Sequence, residues 1–330
     1  MTEADLADLG IHRIPIPIPF PQAGGPVNVY AIEEAGGGVL LWDAGLGTAE
    51  AHEALEQGFR RIGRSFSEVR RIVVSHGHVD HAGAARFVQE RAGAEVPVYG
   101  HPADAAKYAA GGTTWREQAS LYAGHLARLG VPPEGIERSR FEGDRYVVSG
   151  RVAAVQPIGE GDRIRTRHLE LSVLHVPGHT PGLLNLHAPA HRLLFSADHL
   201  LEKVSPNPLI ELGPRGEEGF FQPLVAYLAS IARVRALDLS LVLPGHAEPF
   251  SGHRPVIDRL VEFYGKRQQR IRAFLAGGPR SAWEVARELF PHAQLAQTFL
   301  VISETIANLE LLEVRGEVRR TLVDGVWRFG

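Results

Sequence analysis

Residues 75–81 read Ser-His-Gly-His-Val-Asp-His, a cluster of three imidazoles and one carboxylate. The preceding Arg71-Ile72-Val73-Val74-Ser75 reads as a short buried strand, and the apolar periodicity from Ala82 to Arg91 reads as a helix. If the chain stays extended just past the strand, His76 and His78 share a face, because side chains two apart point the same way. Gly77 lets the backbone bend between them. Asp80 and His81 then fall in the first helical turn, where a carboxylate suits the helix dipole. One strand-to-helix turn can thus aim His76 and His78 at one metal ion, and Asp80 and His81 at a neighbour. Neutral imidazole with carboxylate suits zinc, iron, manganese or nickel.

Three further candidate ligands each follow an apolar, strand-like run: His179 after Leu171–Val176, Asp198 after Leu193–Phe195, and His246 after Leu239–Leu243. Sites in α/β proteins gather at the carboxyl ends of strands. With these three the chain offers five imidazoles and two carboxylates, enough to hold two metal ions. Most of the other histidines, among 16 in all, read as structural.

In these motifs the chain resembles the metallo-β-lactamase-fold hydrolases, over roughly residues 11–270. The resemblance implies an αββα sandwich of two facing sheets with helices outside. It implies that His76, His78 and His179 hold a first metal ion, that Asp80, His81 and His246 hold a second, and that Asp198 bridges both. Leu40-Leu41-Trp42-Asp43-Ala44-Gly45 matches the family's first motif, which makes Asp43 a candidate to orient a ligand histidine through a hydrogen bond. Its plainer reading is a carboxylate capping the turn before Gly45. β-Lactamases of this fold usually carry Cys or another residue at the bridging position. This chain has Asp198 and no cysteine, so the resemblance points to the binuclear branch: thioesterases like glyoxalase II, lactonases, phosphodiesterases and RNA-processing nucleases. His199 reads either as support for the site or as the proton donor to a leaving group.

Composition bounds the context. The chain has 330 residues, 44% of them hydrophobic, and a net charge of -3. No stretch approaches the ~18 uninterrupted apolar residues of a membrane span. The acidic start lacks the basic-then-apolar layout of a secretory signal. The absence of cysteine excludes disulfides and thiolate ligands, and the expected location is cytoplasmic.

The pattern divides at about residue 275. Residues 1–275 read as an α/β catalytic domain with a helical insertion near 102–145. Residues 276–330 read as a small C-terminal domain opened by Gly277-Gly278-Pro279. There Ser281-Ala282-Trp283-Glu284 is a capping box, a second helix is expected over Ala293–Glu313, and Asp324-Gly325 is a hairpin turn. Helix, helix, hairpin is a winged-helix layout, similar to the C-terminal domain of lactamase-β-like hydrolases. Residues 253–330 carry 12 Arg or Lys against 9 Asp or Glu, too slight a basic excess for a dedicated nucleic-acid binder. The tail is therefore expected to pack on the core, shape the pocket or build a homo-oligomer.

The expected activity is hydrolysis of a small ester, thioester or lactone by a hydroxide bridging two divalent ions ~3.5–4 Å apart, zinc by default, with iron or manganese as alternatives. Asp80 and Asp198 would orient the nucleophile. The alternatives are phosphodiester or RNA cleavage, and an iron-dependent oxidation of persulfides. The last would keep one metal and have no use for His81 and His246.

Overall fold

The computed structural model describes residues 2–19, 24–93, 96–110, 114–145, 152, 154–213 and 216–330. Strand β2 (Val27–Glu33) shows why the chain forms layers. Val29 and Ala31 enter one core, while Tyr30 and Ile32 enter another, and all four are buried. Alternate residues point to opposite faces, so a strand apolar on both must lie in a sheet covered on both. In β3 (Val39–Trp42), Val39 and Leu41 join the first core, and Leu40 and Trp42 the second.

After the short helix α1 (Glu3–Asp8), the first sheet runs β1 (Ile11–Ile16), β2, β3, β4 (Val69–Val73), β5 (Val98–Gly100), β6 (Val155–Pro157). The second runs β11 (Leu241–Pro244), β10 (Leu193–Ala197), β9 (Leu184–Ala188), β8 (Glu170–His175), β7 (Arg163–Arg165). Helices α2 (Ala49–Arg61) and α4 (Ala85–Ala92) share a core with the first sheet, and α8 (Pro223–Arg235) and α9 (His253–Leu275) with the second. Tyr30 meets Phe195 edge-to-face at 5.3 Å, joining the sheets. This is the αββα sandwich. β1 lies at a sheet edge, as its Pro15 requires, because proline cannot donate to a ladder. The helix read from Ala82 is instead two pieces, α3 (Val79–Ala82) and α4, separated at Gly83-Ala84. The insertion holds α5 (Ala105–Ala110), α6 (Thr114–Arg128) and α7 (Pro133–Arg145), with 111–113 outside the described residues.

The tail contains β12 (Arg280–Ser281), α10 (Ala282–Leu289), α11 (Thr298–Val314) and the hairpin β13 (Arg320–Val323) and β14 (Val326–Phe329). The capping box forms: Ser281 Oγ accepts from Glu284 N–H at 3.2 Å, and Glu284 accepts from Ser281 N–H at 2.7 Å. Asp324 and Gly325 both adopt positive φ, the two-residue turn that matches strand twist. α11 starts later than expected because Leu295–Gln297 forms a separate 3-10 turn.

The tail does not pack as a separate unit. Its core includes Leu126 and Leu129 of the insertion, Ile210 and Leu212 of the loop after β10, and Ile271 of α9. Trp283 N–H donates to the Leu129 carbonyl at 3.0 Å. By length and composition Leu295–Val314 could cross a membrane, at mean hydropathy 1.2, but 61% of that window is buried, so it serves as the central helix of this core. The hairpin arginines Arg320 and Arg328 pair with Glu313 and Glu284.

Candidate metal centre

Four strand ends converge on one place. β4 runs into Ser75 and His76, β10 into Asp198 and β11 into His246, while His179 sits in the turn between β8 and β9. Backbone bonds lock the loops together. Leu184 N–H donates to the Ser75 carbonyl at 2.9 Å and Gly245 N–H to the Ala197 carbonyl at 2.8 Å. From the first sheet, Asn28 Nδ2 donates to the Pro244 and Ala247 carbonyls and the Tyr30 hydroxyl to Pro244, fixing the turn that carries His246. Asp43, Ala197 and Ala247 adopt positive φ in non-glycine residues, strain that clusters beside functional sites. At Gly245 an added Cβ would collide with Asp198 Oδ1, so only glycine lets this backbone pass.

The seven candidate ligands come together. Three sets each have ligand atoms within 4.8 Å of one another: His76, His78 and His179; His76, His81 and Asp198; Asp80, His81 and His246. Asp198 reaches into all of them. Its Oδ1 lies 3.3 Å from His81 Nε2 and 3.4 Å from His246 Nε2, and its Oδ2 lies 3.4 Å from His179 Nε2. His246 Nε2 is also 3.5 Å from Asp80. His81 Nε2, His179 Nε2 and Asp198 Oδ1 are buried without a hydrogen-bond partner in the protein. Buried polar atoms are rarely left so, and orphans of complementary type aimed at one point fit a cation.

The far sides of three of the rings, His76, His81 and His179, are occupied, which leaves Nε2 of each facing inward. Asp43 is fully buried. It accepts from Ser75 N–H at 2.7 Å, from the Ser75 hydroxyl at 2.9 Å and from His81 Nδ1 at 2.8 Å. The Ser75 hydroxyl, having donated to Asp43, accepts from His76 Nδ1 at 2.9 Å. His179 Nδ1 donates to the Asn207 carbonyl at 2.9 Å. Burial, reinforced by neighbouring imidazoles, lowers the pKa of His76 and His78 well below the ordinary value. Burial also lowers that of His179, against the pull of Asp198. These rings are neutral, as metal ligands must be. At His81 burial opposes charge, but Asp198, Asp43 and Asp80 outweigh it and raise the pKa well above the usual value. Burial likewise works against ionised Asp198, yet His246 and His81 hold its pKa far below the ordinary carboxyl value.

Of the two readings of His199, the structure fits support for the site and not the proton donor. It is fully buried, with Nε2 2.9 Å from the Ser230 hydroxyl and Nδ1 3.2 Å from Asn185, and burial lowers its pKa to about 3. A neutral ring bound on both nitrogens inside the core cannot protonate a leaving group. It supports the packing behind Asp198.

Asp104 stands in no motif of the sequence. Fully buried, it accepts from Gly77 N–H at 2.9 Å, the Thr180 hydroxyl at 2.7 Å and Gly182 N–H at 3.2 Å, and it lies 3.6 Å from Lys107. It ties the 75–81 turn to the turn of His179. Its one sequence signal is its place, just past the end of β5, on the same sheet edge as the histidine cluster.

A model of the metallo-beta-lactamase superfamily matches residues 23–246. The chain belongs to this superfamily. A second model, of the metallo-beta-lactamase-like C-terminal domain, matches residues 269–330. The "Probable metallo-hydrolase YqjP" of Bacillus subtilis is 32% identical over 91% of this chain and 92% of its own length. The crystal structure of a metallo-beta-lactamase family protein from Thermus thermophilus superposes at a TM-score of 0.79, with 30% identity, covering 97% of this chain and 98% of the other. The human "Acyl-coenzyme A thioesterase MBLAC2" is 27% identical over 71% of this chain and 78% of its own length. The chain is thus a hydrolase of the superfamily with a candidate metal site.

Proposed function

We propose that this hydrolase holds two divalent ions, zinc by default, and uses them to cleave a small ester, thioester or lactone. The observation that carries the binuclear reading is Asp198, whose two carboxylate oxygens lie within 3.4 Å of ring nitrogens from both ligand sets. His76, His78 and His179 would hold one ion; Asp80, His81 and His246 the other; Asp198 would touch both. Bound there, such ions would supply Lewis acidity, lowering the pKa of water toward neutrality and polarising a carbonyl oxygen.

The protein's own residues supply orientation. Asp43 accepts a hydrogen bond from His81 Nδ1 and the Ser75 hydroxyl accepts one from His76 Nδ1, so Nε2 of each ring is the nitrogen left to face an ion. The Asn207 carbonyl does the same for His179. His246 and His81 favour the ionised form of Asp198, which could then hold a reacting water between the sets. An acyl substrate is favoured over a phosphodiester by the thioesterase relative and by the hairpin arginines, which spend their charge on Glu313 and Glu284.

Elemental analysis of metal-replete protein should give two ions per chain. A panel of thioester, lactone and bis-aryl phosphodiester substrates should show acyl hydrolysis that stops on chelation and returns with zinc. One ion per chain, or full activity after exhaustive chelation, defeats the proposal. Phosphodiester turnover alone would replace the acyl reading.

A further inference from the structure

The segment from Ser205 to Leu212, between β10 and α8, has no regular secondary structure, yet it is held on two sides. Toward the metal centre, the Asn207 carbonyl accepts from His179 Nδ1 at 2.9 Å. Away from it, three side-chain bonds anchor the segment to the C-terminal helices. The Tyr264 hydroxyl of α9 donates to the Pro206 carbonyl at 2.9 Å. The Asn207 amide donates to the Leu300 carbonyl of α11 at 3.3 Å. Ile210 N–H donates to the Ser303 hydroxyl of α11 at 3.2 Å. Pro206 and Pro208 flank Asn207 and restrict its backbone, so a side-chain anchor on one side fixes the carbonyl on the other.

We infer that α11 sets the affinity of the His76–His78–His179 metal site through Asn207, a positioning residue that couples the C-terminal region to the reaction centre. The inference rests on the ligand assignment proposed above. The physics is that of an outer hydrogen bond on a ligand imidazole. The acceptor on Nδ1 fixes the tautomer and the ring plane, and an acceptor that drifts lets the ring turn away from its ion. The C-terminal unit then matters to chemistry without contributing a ligand.

The test is zinc titration of the full chain against a chromophoric chelator, together with thermal unfolding. The wild type should bind two zinc ions. Asn207→Ala should weaken one of the two by about tenfold, and Ser303→Ala should weaken the same one by less. Asn207→Ala should add nothing in a His179→Ala background, since both act on one site. Asn308→Ala is the control. Its amide bonds to the Glu304 carbonyl within α11, so it should lower the melting temperature and leave both zinc affinities unchanged. Two zinc sites of wild-type affinity in both folded variants, Asn207→Ala and Ser303→Ala, would overturn the coupling alone. A wild type that fails to bind two zinc ions would overturn the ligand assignment beneath it.

Discussion

The protein buries carboxylates in two very different settings. At the candidate metal centre Asp43, Asp104 and Asp198 sit among donors: Asp43 and Asp104 each accept at least three hydrogen bonds, and Asp198 faces three imidazoles. On α11, buried Glu310 lines a small cavity with Ile306, Leu212, His125 and Glu211, and the charge of Arg320 only partly offsets its burial. Burial pushes Glu310 up to about 7, whereas Asp198, equally deprived of water, is held far below the ordinary value. Desolvation is common to both, so the convergent donors decide the outcome. Charge is maintained at the centre and resisted in the third core.

Substitutions should separate the two settings by size and by sign. Asp198→Ala removes the one group that faces both proposed ligand sets. Zinc content should fall from two to near zero, and kcat/KM by ~10^3-fold or more, ~4 kcal/mol of transition-state stabilisation. Retained two-zinc stoichiometry would mean that Asp198 is no bridge. Asp104→Ala should cost about 3–5 kcal/mol of stability, because it strands buried donors on two loops at once. Urea denaturation measures this, and a loss under about 1 kcal/mol would show the tie to be idle. Asp43→Ala should lower metal affinity or activity by roughly 10–100-fold, with less effect on folding than Asp104→Ala.

Glu310→Gln has the opposite sign. The folded state resists ionising Glu310, so its contribution is full below about pH 4.5 and is lost as pH rises through about 7. The glutamine variant should therefore match wild type near pH 4 and exceed it by on the order of 2–3 kcal/mol at pH 8. Equal or lower stability at pH 8 would erase the contrast with the metal centre.

Much of this candidate site is legible in the sequence. The turn at 75–81 spells out four candidates contiguously, and His179, Asp198 and His246 announce themselves by following apolar strands. Asp43 stood in a recognisable motif. What stayed hidden depends on direction and on distant packing. His199 is adjacent to Asp198 in sequence, yet the positive φ of Ala197 and the Ser230 hydroxyl carry its ring into the core. Asp104 acts through contacts 27 and 78 residues away, which no local pattern records. The tail's elements could be read from its caps and turns. Its dependence on Leu126 and Leu129 could not, because an apolar helix face does not name its partner.

That shared core also sets a schedule for synthesis. The insertion helix α6 is made well before the residues that cover it, among them Val285, Leu309 and Phe329. At ~5–20 residues per second, the apolar face of α6 waits on the order of ten seconds for them. The sandwich can settle early, while the flank that steadies Asn207 closes last. A nascent chain should thus pass through a stage in which its ligand turns are built but its third core is open to chaperones and to other unfinished chains.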